Sequence, residues 1–324
     1  RSSDLIAMNY AGVDTLYIAN GRLHVVTSVD TLIEDRPIAF QKVRGYRKYV
    51  DCAFVIEGHT VRFELGAYDK KHPLTIDPEL VFSTYSGSTG DNWGMTATHG
   101  RNEEAYGAGV VFSEGYPTTL GAFQTQYGSG NDPLDFETDV AISKFSSDGS
   151  QLLYSTHLGG GSSDIPQSII ENSNGELVVL GTTSSRDFPV LPNAFQRRFE
   201  GGPSLINLPG EENSVNGIPF VNGSDIFVAV LSNDGSNLRG ASYVGGTGND
   251  GVNIGTLEQL AVNYGDQLRG EVILDGQNNI YIASSTLSED FPTSGNAYDR
   301  NNNGGQDAVL FSLTPDCSTL RFST

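Results

Sequence analysis

Between Leu80 and Thr324 one pattern of residues occurs three times in the same order. A chain made of repeats folds as an array of like units, each resting on the next. The first anchor is an aromatic-Pro step: Gly115-Tyr116-Pro117, Asp187-Phe188-Pro189 and Asp290-Phe291-Pro292. An Ala-aromatic pair begins five residues after each proline, at Ala122-Phe123, Ala194-Phe195 and Ala297-Tyr298. An aspartate then opens an apolar run, at Asp139, Asp225 and Asp307, and nine residues later a second aspartate (Asp148, Asp234, Asp316) sits in a turn. Each turn leads into a further strand-like run, at 152–156, 238–242 and 320–324, with one earlier occurrence at 80–84. Glycine-rich turns follow: Gly87-Ser88-Thr89-Gly90, Gly159-Gly160-Gly161 and Gly245-Gly246-Thr247-Gly248.

Each unit carries four strand signals, in the second copy at 167–170, 176–182, 225–231 and 238–243. Asn174-Gly175 predicts a type I′ hairpin between the first two, because both residues tolerate positive φ; Asp148-Gly149 and Asp234-Gly235 do the same between the last two. A four-stranded meander repeated in this way predicts an all-β fold, a β-propeller whose blades bury both faces. The alternative, a β-solenoid, uses far shorter repeats. The units fall at 80–158, 159–244 and 245–324. A closed propeller takes about four to eight blades, so three copies predict part of a larger ring and a polypeptide that continues past Thr324. The spacing from Phe123 to Phe195 is 72 residues, but from Phe195 to Tyr298 it is 103. The excess lies in insertions at 201–223 and 252–269, expected as loops on one face and the favoured ligand-binding elements.

Residues 1–79 lack the repeat and read as a small N-terminal β-domain, with strands at 14–18, 23–27, 50–56 and 60–65. Asn20-Gly21 and Gly58-His59 supply hairpin turns. No flexible linker separates this domain from 80–324, so it is expected to pack against the repeats. Charge is uneven: 1–79 hold 10 Lys+Arg and 11 Asp+Glu, whereas 80–324 hold 9 and 28 of the net −20. Such acidity repels phosphate backbones and argues against nucleic acid as a partner. No apolar stretch reaches the length of a membrane span, and Arg1 at the start predicts a longer precursor whose leader has been removed. Two cysteines, Cys52 and Cys317, exclude a disulfide scaffold and leave their own pairing open.

The units resemble the bacterial seven-bladed β-propeller (SBBP) repeat. The residues that carry this are Tyr154-Ser155-Thr156-His157-Leu158-Gly159-Gly160, Asn174-Gly175 with the strand to Gly181, Asp187-Phe188-Pro189 and Ala194-Phe195-Gln196. The first 79 residues resemble the C-terminal half of an uncharacterised β-domain that precedes such repeats, through 37–41, 63–69 and Ile76-Asp77-Pro78. The resemblance implies a large secreted or surface protein of Bacteroidetes-type bacteria, with type IX secretion machinery as a partner and links to adhesion or gliding.

Little chemistry is visible. The five histidines show no metal spacing, and no GxSxG elbow or P-loop occurs. His157 stands where the repeat has Tyr85 and Tyr243, a strand-end packing position. Aspartates that recur once per unit read as turn caps rather than catalytic acids. The candidate metal site is calcium, on Asp132, Asp135, Glu137 and Asp139, with Gly248-Asn249-Asp250 a second oxygen-rich loop; ordinary Asx-rich turns explain the same residues. No other cofactor and no catalytic residue is expected. The expected function is a non-catalytic extracellular binding or adhesion module for a surface glycan or protein. The alternatives are a scaffold for another domain and a glycan-active enzyme.

Overall fold

A computed structural model describes residues 6–28, 31–43, 45–77, 83–128, 137–206, 217–254 and 266–324. The chain divides into two compact units, Arg1–Ser83 and Thr84–Thr324. The strand expected at 80–84 lies largely outside the described residues.

Among the described residues the first unit holds three three-stranded antiparallel sheets. One contains β1 (Ala7–Asn9), β7 (Cys52–Glu57) and β8 (Thr60–Leu65); a second contains β2 (Thr15–Ala19), β3 (Arg22–Val26) and β4 (Thr31–Glu34); the third contains β5 (Ile38–Val43), β6 (Tyr46–Val50) and β9 (Leu74–Asp77). Asn20 and Gly21 both take positive φ (53° and 79°), which gives the type I′ turn that their sequence signals. The run expected as one strand at 50–56 is two. It breaks at Asp51, because β6 pairs with β5 while β7 pairs with β8. The core is Leu23, Val25, Phe54 and Val61.

Among the described residues the second unit holds three four-stranded antiparallel sheets in sequence order. The first is β10 (Asn92–His99), β11 (Ala105–Val111), β12 (Asp139–Phe145) and β13 (Leu152–Leu158). The second is β14 (Asp164–Glu171), β15 (Leu177–Thr183), β16 (Asp225–Leu231) and β17 (Leu238–Val244). The third is β18 (Glu271–Leu274), β19 (Ile280–Thr286), β20 (Asp307–Leu313) and β21 (Leu320–Ser323). The first strands pack side by side, β10 on β14 and β14 on β18.

All seven residues of both β15 and β16 are buried. Leu177, Val179, Phe227, Ala229 and Leu231 join the core with the first sheet, while Val178, Leu180, Ile226, Val228 and Val230 join the core with the third. Burial of both faces explains why these strands read as unbroken apolar runs rather than alternating ones. The segment from the proline to the Ala-aromatic pair runs along the outer edge of the last strand of its own sheet. Thr119 N donates to Ser155 O and His157 N to Gln124 O; in the next copy Leu191 N donates to Ala241 O and Tyr243 N to Gln196 O. Such a strip caps an edge that would otherwise offer unpaired backbone.

The turns differ from the type I′ expectation. In both Asn174-Gly175 and Asp148-Gly149 only the glycine has positive φ (77° and 67°). Gly175 N bonds Asn172 O and Gly149 N bonds Ser146 O, so each is a tight turn followed by one left-handed residue. In the Asp-Gly turns the aspartate stabilises this form. Asp234 Oδ1 accepts from the Ser232 hydroxyl and from the amide and hydroxyl of Ser236, and Asp148 does the same with Ser146 and Ser150.

These turns lock each sheet to the one before. Phe123 N donates to Gly235 O, and Phe195 N to Cys317 O, both at 2.8–2.9 Å. At the first junction a Cβ on Gly235 would stand 2.4 Å from the Tyr154 ring. At the second junction the sizes are exchanged: Gly240 stands in the place of Tyr154, and Cys317, with φ 57°, in the place of Gly235. Gly235→Ala is expected to cost about 2 kcal/mol through strain and collision. Adding Tyr154→Gly should recover more than half of the collision cost. A double-mutant cycle by urea unfolding tests this; strict additivity would refute the size exchange. Cys52 and Cys317 are both free thiols.

Candidate functional site

The first strands of the first two sheets each carry a β-bulge, between Gly94 and Thr96 and between Pro166 and Ser168. The extra residues are Met95 and Gln167. At the matching point of the third sheet, Asp250 bridges Thr286 and the ladder resumes only at Glu271–Ala283. The insertion at 252–269 therefore leaves the sheet where its neighbours bulge. A bulge already interrupts the pairing and re-aims a side chain, so an insertion there breaks few ladder bonds.

One glycine position shows the consequence. A Cβ on Gly109 would lie 1.9 Å from Trp93 O, and one on Gly181 would lie 2.2 Å from Ile165 O, because the bulged strand pushes its carbonyl against them. In the third sheet the chain has left at this point, and Ser284 occupies the equivalent position, opposite Val309 as Gly181 is opposite Phe227.

Met95, Gln167, Ser284 and the end of the insertion (Leu268, Arg269) converge on a cleft of about 870 Å³ that also touches Asn253, Glu271, Gln306 and Asp307. The Gln167 side-chain amide donates to Thr182 Oγ1 and to Gly251 O, at 2.8 and 2.5 Å. That leaves its Oε1 buried without a partner, and the Ser284 hydroxyl is likewise buried and unpartnered. Buried polar atoms are normally paired; these two lie just behind the cleft wall, sealed from solvent in this arrangement. The neck of the insertion is closed: Asn253 N donates to Gln267 O, while Gln306 donates to Val252 O and Asn253 Oδ1 and accepts from Ile254 N. Glu271 accepts from the Ser168 hydroxyl at 2.6 Å.

The two long insertions meet. Leu205, Ile218 and Phe220 from 201–223 pack with Val252 and Leu268 from 252–269, over Val110 and Ile165 of the sheets. Leu205 and Phe220 exchange both backbone hydrogen bonds. The described stems are thus a second small core that holds Leu268 and Arg269 at the cleft rim, not free loops. Excising both insertions would uncover Val110 and Ile165. Residues 207–216 and 255–265 lie outside the described residues.

Of the calcium candidates, Asp132 and Asp135 lie outside the described residues. Glu137 accepts from the Ser162 hydroxyl at 2.9 Å, and Asp139 accepts from Gly128 N at 2.6 Å. Asn249 and Asp250 are committed to protein: Asn249 Oδ1 takes Ser224 N, and Asp250 takes Gly246 N with the hydroxyls of Ser288 and Thr286. Among the described residues no three His, Cys, Asp or Glu come together to hold a metal. His157 is buried with Nδ1 unpartnered, between Tyr116 and Tyr127, and burial lowers its pKa.

The insertion at 252–269 was legible because it interrupts a repeat. Met95, Gln167 and Ser284 were not, since nothing local marks a bulge residue. The alignment does hold one signal for Ser284, a serine where two other copies have glycine.

Residues 2–79 match the family described as "Domain of unknown function (DUF7948)". No curated protein matches the chain. No helix among the described residues is long and apolar enough to cross a membrane.

Proposed function

We infer that the three sheets are consecutive blades of a β-propeller of the SBBP-repeat type, and that the chain is a non-catalytic, secreted or cell-surface binding module. Side-by-side first strands and face-to-face sheets in sequence order support the propeller reading. The observation that carries the binding reading is the cleft at the bulges, with the unpartnered Gln167 Oε1 and Ser284 hydroxyl just behind its wall, where a side-chain rotation would turn the Ser284 hydroxyl toward a ligand. Recognition there is by hydrogen bonds and shape, as suits a polar glycan or peptide chain. The aspartates that recur in each sheet are engaged with backbone and hydroxyl donors, which supports a scaffold role for them rather than catalysis. Surface adhesion and export by the type IX route follow from the resemblance of the repeats.

The test is binding of the full chain to an array of bacterial and host surface polysaccharides, repeated with Ser284→Ala and with Met95→Trp, which fills the cleft from a half-exposed position. Loss of about tenfold or more in affinity for the same glycan is expected from each, the scale of one or two lost hydrogen bonds or a blocked pocket. Binding unchanged in both variants would remove the cleft from the function, and an array without any binder would remove the glycan reading.

A further inference from the structure

The seam between the first and second sheets buries a charged cluster. Lys144, on β12, is only 5% exposed. Its Nζ lies 3.7 Å from Glu104 Oε1 and 3.9 Å from Glu171 Oε2, and 4.9 Å from the centre of the Tyr106 ring. The Tyr106 hydroxyl donates to Glu171 Oε2 at 2.5 Å. One further contact crosses to the turn after β16, where Lys144 Nζ donates to Asn233 Oδ1 at 3.0 Å.

At the second junction the positions of Tyr106, Lys144, Glu171 and Asn233 are held by Val178, Val230, Leu274 and Pro315, none of them charged. Val178 and Val230 belong to the apolar core of that junction, and Leu274 packs against it. Sheets of this kind therefore pack without the cluster. Burying an ammonium among carboxylates carries a desolvation cost, and an apolar set of similar volume packs at least as well. Four residues of matched chemistry have replaced four of matched packing, at one seam and together.

The four are the parts of an amide-forming site. Lys144 supplies an amine, Asn233 a carboxamide, and Glu171 a carboxylate able to move protons between them. The seam holds the amine against the carboxamide, and fixed reactants combine far faster than free ones. Gly175 backs the amide, since a Cβ there would stand 3.2 Å from Asn233 Cγ. Asn233 lies in an exposed turn, which gives a leaving nitrogen a way out.

We propose that Lys144 and Asn233 join through an isopeptide bond, a covalent link between the first and second sheets. Glu171 takes a proton from the Lys144 ammonium, and the freed amine attacks Asn233 Cγ. The Nζ–Cγ bond forms and the Cγ–Nδ2 bond breaks. Both protons that Nζ gives up pass by way of Glu171 to Nδ2, which leaves as ammonium. Glu171 ends as it began, and nothing is oxidised or reduced. The linked residues are 89 apart in sequence, so the bond restricts the unfolded chain as a disulfide would. It depends on neither the cleft nor the propeller reading.

The experiment is the intact mass of the full chain, followed by peptide mapping. Wild type is expected to weigh less than its sequence by one ammonia, with Lys144 and Asn233 on a single branched peptide. Lys144→Arg keeps the positive charge, and Asn233→Ser matches Ser147 in the first sheet; both should have the full sequence mass. Glu171→Gln still accepts the Tyr106 hydroxyl but cannot carry a proton. It should stay unlinked and migrate more slowly than wild type on a denaturing gel. A wild type of full sequence mass overturns the proposal and leaves the cluster an ion-paired seam. So does an ammonia loss that survives in Lys144→Arg, because a succinimide at an Asn-Gly turn loses the same mass. A loss that survives in Glu171→Gln removes that carboxylate from the reaction.

Discussion

The free energy of unfolding is expected to fall by about 4 kcal/mol or more between pH 4 and pH 8. Asp225 opens β16, and Asp250 follows the glycine turn after β17. Both carboxyls close over Gly245, where a Cβ would stand 2.6 Å from Asp225 Oδ1 and 2.7 Å from Asp250 Oδ2. Burial is the main reason that each is pushed up to about 7, and the charge of Asp250 adds to the effect on Asp225. Asp139 and Asp164 repeat the arrangement over Gly159, and Asp164 is raised well above the usual carboxylate range by burial and then by Asp139.

An unfolded carboxyl titrates near 4. Between about 4 and 7 the native state therefore holds more protons than the unfolded one, and stability declines as pH rises through that window. A carboxyl at about 7 instead of about 4 corresponds to about 4 kcal/mol. The two act in the same direction, so about 4 kcal/mol, the figure for one of them, is the smallest change that the pair produces. Three groups act in the opposite sense. Asp148 and Asp234 are held down to about 2 by hydroxyl and amide donors, so the stability they add is lost below about pH 4. His157, lowered by burial, costs stability as pH falls below about 6.5, and a His157→Tyr variant, bearing the residue found at Tyr243, removes that opposing slope. Urea midpoints at pH 5 and pH 8 provide the measurement. Asp250→Asn should flatten much of the difference; equal midpoints for wild type, or a higher one at pH 8, would contradict the buried-pair argument.

Gly181→Ala is expected to destabilise the protein by about 3 kcal/mol, at the upper end for overpacking. The added methyl would sit 2.2 Å from Ile165 O and 2.4 Å from the Phe227 ring, and both neighbours are fixed, one by the bulge and one by stacking on Phe188 at 4.4 Å. The same position in the third sheet should behave differently. Ser284→Gly removes an unpartnered hydroxyl and should cost about 1 kcal/mol or less, the ordinary penalty of glycine in a strand. Chemical denaturation of the two variants side by side decides the matter. Parity between them would mean that the bulge carbonyl can move aside.

Strand positions in the second unit were legible from the sequence to within a few residues, for example 225–231 for β16 and 238–243 for β17. Short apolar runs ended by Asp, Asn and Gly are local signals, and three copies allow each to be checked against two others. In the first unit β1, β4, β5, β6 and β9 carried no such signal. They are strands because β5 pairs with both β6 and β9, and β4 with β3, partners that only the folded chain supplies.

The sequence by itself determined that this protein is an array of all-β units, where each unit turns, and which stretches are extra. Those properties live in residue type and spacing: strand-forming runs, left-handed glycines, and insertions that interrupt a repeat. Tertiary structure alone decided that Asp225 and Asp250 share one buried space, that the two insertions form a common core, and that bulges and one insertion open a cleft lined by Met95, Gln167 and Ser284. These depend on which residues of neighbouring sheets come face to face. A one-residue shift in register would turn each of those side chains to the opposite face.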